Sequence, residues 1–170
     1  MHTRHTVIDS PLGELTLAAN GDTLTGVYFR HHWHPPAADT LGPTVEPVAD
    51  ELLRRAADQL HGYFAGERTQ FDVPIALSGD PRQKQVWDLL PDIGYGETTT
   101  YGELAATLAD GYTAYEVGQV VGRNPLSIIV PCHRVVGKDG KLTGYAGGLK
   151  RKRFLLDLEA PVPAAAGRLF

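Results

Sequence analysis

Thr100-Tyr101-Gly102-Glu103 and, thirteen positions later, Thr113-Ala114-Tyr115-Glu116 both set a threonine three residues ahead of a glutamate. In that pattern the threonine side chain can accept from the backbone N–H of the third helical residue while the glutamate reaches back to the threonine N–H. The spacing predicts one helix running through Leu108 and a second to about Gly122, separated by Ala109 to Tyr112. Two short helices so joined make a helix-turn-helix arrangement. Most helical hairpins bind no DNA, so the pattern defines organisation and leaves function open.

Outward from this pair, Ser78-Gly79-Asp80-Pro81 reads as a boundary, with Asp80 suited to cap a helix and Pro81 to its first turn. A helix is expected over 81–90, stopped by Pro91. Upstream, Thr6-Val7-Ile8, Leu15-Thr16-Leu17-Ala18 and Leu24-Thr25-Gly26-Val27-Tyr28-Phe29 are short apolar runs punctuated by Pro11, Gly13, Asn20-Gly21 and Asp22, as in an antiparallel meander. A loop rich in proline and histidine, His31 to Pro47, precedes a helix over 50–64 with Leu52, Leu53, Ala56, Leu60 and Phe64 on one face. Phe71-Asp72-Val73-Pro74-Ile75 looks like a fourth strand. Downstream, Ile128-Ile129-Val130 reads as a buried strand leading into Pro131-Cys132-His133-Arg134. Asp139-Gly140 turns the chain, and a last helix is expected from Leu149 to Leu158. The whole is an α+β protein: an N-terminal sheet-and-helix domain at 1–77, a mostly helical domain at 78–159, and a tail at 160–170.

Apolar residues make up 42% and charged residues 21% of the 170-residue chain, ordinary for a globular protein. No apolar run reaches the length of a membrane span, and no apolar stretch follows a basic one at the start, so a cytoplasmic protein without a membrane partner is the expectation. The formal net charge is -4, but it is unevenly spread. Residues 1–122 carry 7 basic and 17 acidic side chains, whereas residues 123–153 carry 8 basic side chains and a single acid, Asp139. A basic segment on an acidic body can steer a polyanion to one face. A solvated helix end explains the run at 150–153 equally well.

Cys132 is the only cysteine, so neither an internal disulfide nor a multi-cysteine metal site is available. Two readings of it stand on composition: a small buried hydrophobe, or a nucleophile whose thiolate is favoured by nearby basic groups. Adjacent side chains on an extended chain point to opposite faces, so adjacency does not make a Cys–His pair. The loop His31-His32-Trp33-His34 offers imidazoles but no cysteine or acidic partner, and no metal is expected there.

The stretch Ile128-Ile129-Val130-Pro131-Cys132-His133-Arg134-Val135-Val136-Gly137 resembles the active-site motif of the 6-O-alkylguanine-DNA alkyltransferase family. The resemblance extends from Gln85-Val86-Trp87 through Tyr95-Gly96-Glu97-Thr98, Tyr101 and Asn124-Pro125. It continues over Lys141-Leu142-Thr143-Gly144-Tyr145-Ala146-Gly147-Gly148-Leu149 to Glu159. Residues 6–30, with Ile8-Asp9-Ser10-Pro11-Leu12-Gly13, resemble the family's N-terminal domain more loosely. It implies a ribonuclease H-like N-terminal domain and a winged-helix-like C-terminal one. It also implies irreversible transfer of an alkyl group from the 6-oxygen of guanine in double-stranded DNA, and of thymine's 4-oxygen in some members, to the protein's own cysteine, without a dissociable cofactor.

By position, the resemblance makes Cys132 the acceptor, His133 its base through water, and Glu159 the carboxylate that orients His133. Tyr101 would donate to the base and Asn124 close a turn. Val135, Tyr145, Ala146 and Gly147 would line the base pocket, with Ser127 nearby. The second helix would enter the minor groove, with Ala114, Gly118 and Gly122 along its wall; close packing on another helix is the other reading of that stripe. Arg123, Arg134, Lys150 and Arg151 would contact phosphates. The family's usual arginine, which enters the base stack, is replaced by Tyr115. A tyrosine can wedge between bases but lacks a guanidinium's charge and donors. An alkyltransferase with altered substrate preference and a non-catalytic lesion sensor are therefore the alternatives. A monomer is expected in solution, and the charge distribution permits cooperative assembly on DNA.

Overall fold

The computed structural model describes residues 3–32, 35–108 and 111–160. The expected tail, apart from Ala160, and Trp33-His34 of the histidine loop lie outside the described residues. Strands β1 (Thr3–Ile8), β2 (Leu15–Asn20) and β3 (Thr23–Phe29) form an antiparallel sheet in that order. The β2–β3 loop is two residues long, and Gly21 takes the positive φ of 58° that such a loop requires at its first position. Leu15, Leu17, Leu24, Val27 and Phe29 build the buried face. A register shift at Ala18/Ala19 breaks the alternation, which is why both alanines are buried.

Helix α1 (Glu51–Phe64) covers that face. Asp50 caps it by accepting from Leu53 N at 3.1 Å, and Arg4 of β1 grips the same carboxylate at 2.6 Å. The stripe that faces inward is Leu53, Ala56, Leu60 and Tyr63. Phe64, expected in the core, lies at its margin, and Tyr63 takes the fully buried place three residues after Leu60. The strand expected at 71–75 shrinks to a single bridge, Leu24↔Ile75. Pro74 has no N–H to continue a ladder, though its carbonyl accepts from Leu24 N at 2.8 Å.

The second half opens with α2 (Pro81–Trp87), capped by Asp80, with Gln83 completing a capping box. This helix is shorter than the expected 81–90; a separate 3-10 turn, Leu90–Asp92, follows around Pro91. Helices α3 (Tyr101–Thr107) and α4 (Ala114–Val121) each begin with both hydrogen bonds of the capping box, from Thr100/Glu103 and Thr113/Glu116. Trp87 fastens α4 to α2 by donating from its indole to Val120 O at 2.9 Å. A short parallel pair, β4 (Thr99–Thr100) with β5 (Val135–Val136), ties the start of α3 to the segment after Cys132. The last helix, α5 (Leu149–Glu159), runs one residue beyond expectation and thereby includes Glu159. The architecture is the expected α+β, with the antiparallel sheet in the first half and helices in the second. The halves join along the outer edge of β3, where Val27 N donates to Pro125 O at 2.8 Å.

Candidate active site

The approach to Cys132 is not the strand expected from Ile128-Ile129-Val130. Ile129 N donates to Ser127 O at 2.8 Å, closing a γ-turn whose centre, Ile128, sits at φ 73°. That conformation is strained for a β-branched residue and persists only where its surroundings over-determine it. Asn124 supplies much of that constraint. Its amide nitrogen donates to Val130 O at 2.8 Å and its oxygen accepts from Leu126 N at 3.0 Å, all buried. A second tight turn follows at Pro131, with Cys132 N donating to Val130 O at 2.8 Å. Cys132–Arg134 then form one 3-10 turn. Successive side chains of such a turn fan out at about 120°, so three neighbours in sequence serve three different surroundings.

Cys132 is 3% exposed, and His133 and Glu159 are buried with it. His133 Nε2 lies 2.7 Å from Glu159 Oε2. Arg134 donates to both oxygens of Glu159, from Nε at 2.7 Å and from an Nη at 3.0 Å, and its other Nη donates to Ile93 O at 2.6 Å. Tyr63 of α1 adds a hydroxyl donor to Glu159 Oε2 at 2.5 Å. Burial works against the Glu159 charge, but the hydrogen bonds from His133 and Arg134 outweigh it and hold the carboxyl down to about 2. An ionised Glu159 requires Nε2 to carry the imidazole proton, which leaves the lone pair on Nδ1. Burial lowers the His133 pKa despite that carboxylate, so the imidazole rests neutral and basic at Nδ1. Nδ1 is buried without a hydrogen-bond partner among the described residues, as are Ser127 Oγ and Tyr145 OH. Burial pushes the Cys132 thiol up, against the dipole of Asn124 and the charge of Lys152.

Lys152 is fully buried and has no carboxylate partner among the described residues. Its ammonium donates to Thr143 O at 2.9 Å, Gly144 O at 3.3 Å and the Tyr101 hydroxyl at 3.3 Å. Burial brings it down to about 8. It therefore fastens the 143–144 loop to Tyr101, whose hydroxyl also reaches Thr143 O at 3.4 Å. Val135, Tyr145, Ala146 and Gly147 are all buried in the same half. A Cβ on Gly147 would stand 2.5 Å from the Phe29 ring, so packing on β3 by itself demands glycine there.

The stripe Ala114, Gly118 and Gly122 is not buried against another helix. Together with Tyr101, Tyr115 and the 143–144 loop it borders an open groove of about 260 Å³. Tyr115 stands 75% exposed on the first turn of α4. The basic segment divides. Arg123 and Lys150 are exposed, but Arg134 and Arg151, expected at phosphates, are engaged internally. Arg134 is consumed by Glu159, and Arg151 donates to Leu12 O, Arg30 O and Gly147 O at 2.8 to 3.2 Å, over the Phe29 ring. Nε and both Nη of Arg134, and Nε and one Nη of Arg151, are thereby engaged by carboxylate or carbonyl oxygens of the protein itself. Tyr63 and Lys152 are site residues that the sequence does not announce. Tyr63 has one visible signal, a polar tip at a core position of α1; Lys152 has none, since it sits in a run of four basic residues.

Family models for the 6-O-methylguanine DNA methyltransferase ribonuclease-like domain and DNA-binding domain match residues 3–77 and 81–161. The chain belongs to the 6-O-methylguanine DNA methyltransferase family. Among curated members of this family, the methylated-DNA–protein-cysteine methyltransferase of Mycobacterium tuberculosis is 49% identical over 152 residues, 89% of each chain. The constitutive enzyme of that name from Bacillus subtilis is 40% identical over 156 residues, 91% of this chain and 94% of its own. The crystal structure of the Mycobacterium tuberculosis O6-methylguanine methyltransferase superposes with a TM-score of 0.82 at 44% identity, covering 98% of this chain and 100% of that one. The structure of Mycobacterium tuberculosis OGT in complex with DNA gives 0.81 at the same identity, covering 93% and 95%. Among the described residues no helix is long and apolar enough to cross a membrane, and no cluster of three metal-ligating side chains occurs.

Proposed function

We propose that this member of the family repairs alkylated DNA by moving an alkyl group from the 6-oxygen of guanine onto Cys132, once per molecule. The observation that carries the reading is the buried set around Cys132. A neutral His133, its Nε2–H taken by an ionised Glu159 at 2.7 Å, keeps a buried, partnerless Nδ1 lone pair one residue along the chain from the thiol. A thiol whose pKa is raised by burial needs such a base. A water with several polar partners is an ordinary occupant of a buried polar site, and one between Sγ and Nδ1 would carry the proton.

The step balances without a cofactor. His133 takes the thiol proton, sulfur forms a bond to the alkyl carbon, and the carbon–oxygen bond breaks with its electron pair going to guanine. The departing base takes up one proton, for which the Tyr101 hydroxyl, beside the 143–144 loop, is the donor. Lys152, hydrogen-bonded to Tyr101, lends positive charge where thiolate and departing base are negative. The thioether product has no route back, so the protein is spent.

A base within a duplex is unreachable until it rotates out of the stack. The groove beside α4 supports a minor-groove reading of that helix, because glycines there leave the sugar-phosphate wall room to approach. Arg123 and Lys150 remain as phosphate contacts, and Tyr115 occupies the wedge position. A single nucleophilic thiol suits a reducing cytoplasm, and the proposed partner is double-stranded DNA carrying alkylated guanine, met by a monomer. The test is transfer of a labelled methyl group from a 6-O-methylguanine duplex. Parent protein takes up label stoichiometrically, whereas Cys132→Ser binds the duplex and takes up none. Label retained by the serine variant would overturn the proposal.

A further inference from the structure

Tyr63 belongs to α1 in the N-terminal half, yet its hydroxyl ends on the carboxylate that holds His133 in the C-terminal half. We propose that Tyr63 is a positioning residue of the transfer site, and that the N-terminal half thereby supplies one of the donors that set the Glu159–His133 pair. The inference rests on the reading of Cys132, His133 and Glu159 given above.

Glu159 Oε2 receives three donors, Tyr63 OH at 2.5 Å, His133 Nε2 at 2.7 Å and an Arg134 Nη at 3.0 Å, while Oε1 receives Arg134 Nε at 2.7 Å. The phenol shares its oxygen with the imidazole, so it competes directly for the charge that polarises His133. An O–H donor to a carboxylate at this distance is among the strong hydrogen bonds. Burial and the Glu159 charge both keep the Tyr63 phenol protonated, so it always donates. Its ring packs against Phe64, Phe71 and Tyr95, a job phenylalanine could do. A buried phenol also needs some acceptor, so simple satisfaction of that need is the rival explanation. The two differ in what happens to His133.

The groups that bear on His133 are Glu159 and Lys152 on α5, Arg134 beside it and, through Glu159, Tyr63 on α1 and Tyr95 in the loop before β4. Of these, Lys152, brought down to about 8, is still charged on the acid limb, and Tyr95 donates to Leu158 O rather than to the carboxylate. Removing the Tyr63 hydroxyl leaves more of the Glu159 charge for the imidazolium, so His133 holds its proton to higher pH. Single-turnover methyl transfer followed across pH reads this directly. Tyr63→Phe moves the midpoint of the acid limb upward by about one unit, slowing transfer roughly tenfold on that limb while rates above the midpoint, before Lys152 loses its proton near 8, stay close to the parent. Tyr95→Phe, altering the same aromatic cluster, leaves the midpoint unmoved. Should Tyr63→Phe fail to fold, 3-fluorotyrosine at position 63, a stronger donor, moves the midpoint the other way. A Tyr63 variant with the parent midpoint, or one slowed equally at every pH, overturns the proposal. If the parent itself transfers nothing to Cys132, it is the functional reading that fails instead.

Discussion

Replacing Glu159 by glutamine probes the buried network at its most crowded point. The carboxylate accepts four donors on two oxygens: Tyr63 OH, His133 Nε2 and two nitrogens of Arg134. Glutamine keeps the shape but offers one oxygen, and its amide nitrogen must face at least one of those donors. Arg134, 7% exposed, also loses its anionic partner. Breaking a buried ion pair from one side costs about 3–5 kcal/mol. Misorienting the base of an acid–base–nucleophile set costs on the order of a thousandfold or more in rate. The measurements are urea unfolding and single-turnover methyl transfer on the parent, Glu159→Gln, and the double variant with Arg134→Met. The single variant loses both stability and transfer. The double variant regains much of the stability, because no guanidinium is left unpaired, and regains no activity, because His133 is still unheld. A Glu159→Gln protein within about 1 kcal/mol of the parent that transfers at the parent rate would refute the network as described.

Acid stability follows from the same groups. Glu159 is held at about 2 against an ordinary 4.5, so its contribution is complete above pH 4.5 and is lost as pH falls toward 2, worth about 3 kcal/mol. His133, buried neutral, resists a proton the unfolded chain accepts below about 6.5, so it acts in the same direction. Unfolding free energy therefore falls from near pH 6.5 and more steeply below 4.5, and a flat profile down to pH 3 would contradict this. A Cβ at Gly118 meets only the Tyr101 ring at 3.6 Å, so Gly118→Ala raises thermal stability by about 0.5–1 kcal/mol while weakening duplex binding; unchanged duplex affinity would remove α4 from the groove. Tyr115→Arg speeds repair of duplex substrate and leaves reaction with free 6-O-alkylguanine unchanged, and an equal effect on both would put Tyr115 outside base extrusion.

Local chemistry was the legible part of this fold. The capping boxes at Thr100 and Thr113, the cap at Asp80 and the three-strand meander rest on contacts within a few residues, and the structure forms them. Apolar runs were less informative. Ile128-Ile129-Val130 has the composition of a strand, but Asn124 folds it into turns through backbone bonds that leave no mark on hydrophobicity. Pro74 shortened the other expected strand. Charge misled for a different reason: Arg134, Arg151 and Lys152 are indistinguishable in sequence from Lys150 and Arg153, yet the first three serve buried or internal acceptors. Tyr63 was hidden because its partner lies 96 residues away, and only packing of the two halves brings them together.

Cys132 itself keeps the alkyl group in the proposed reaction. Intact-mass measurement followed by peptide mapping, after incubation with a duplex containing 6-O-methylguanine, tests it most directly. Every active molecule gains the mass of one methylene, a methyl replacing the thiol hydrogen, on the peptide that carries Cys132 and nowhere else. Loss of the methyl group from the DNA with no mass gained by Cys132, or gain at another residue, would contradict it.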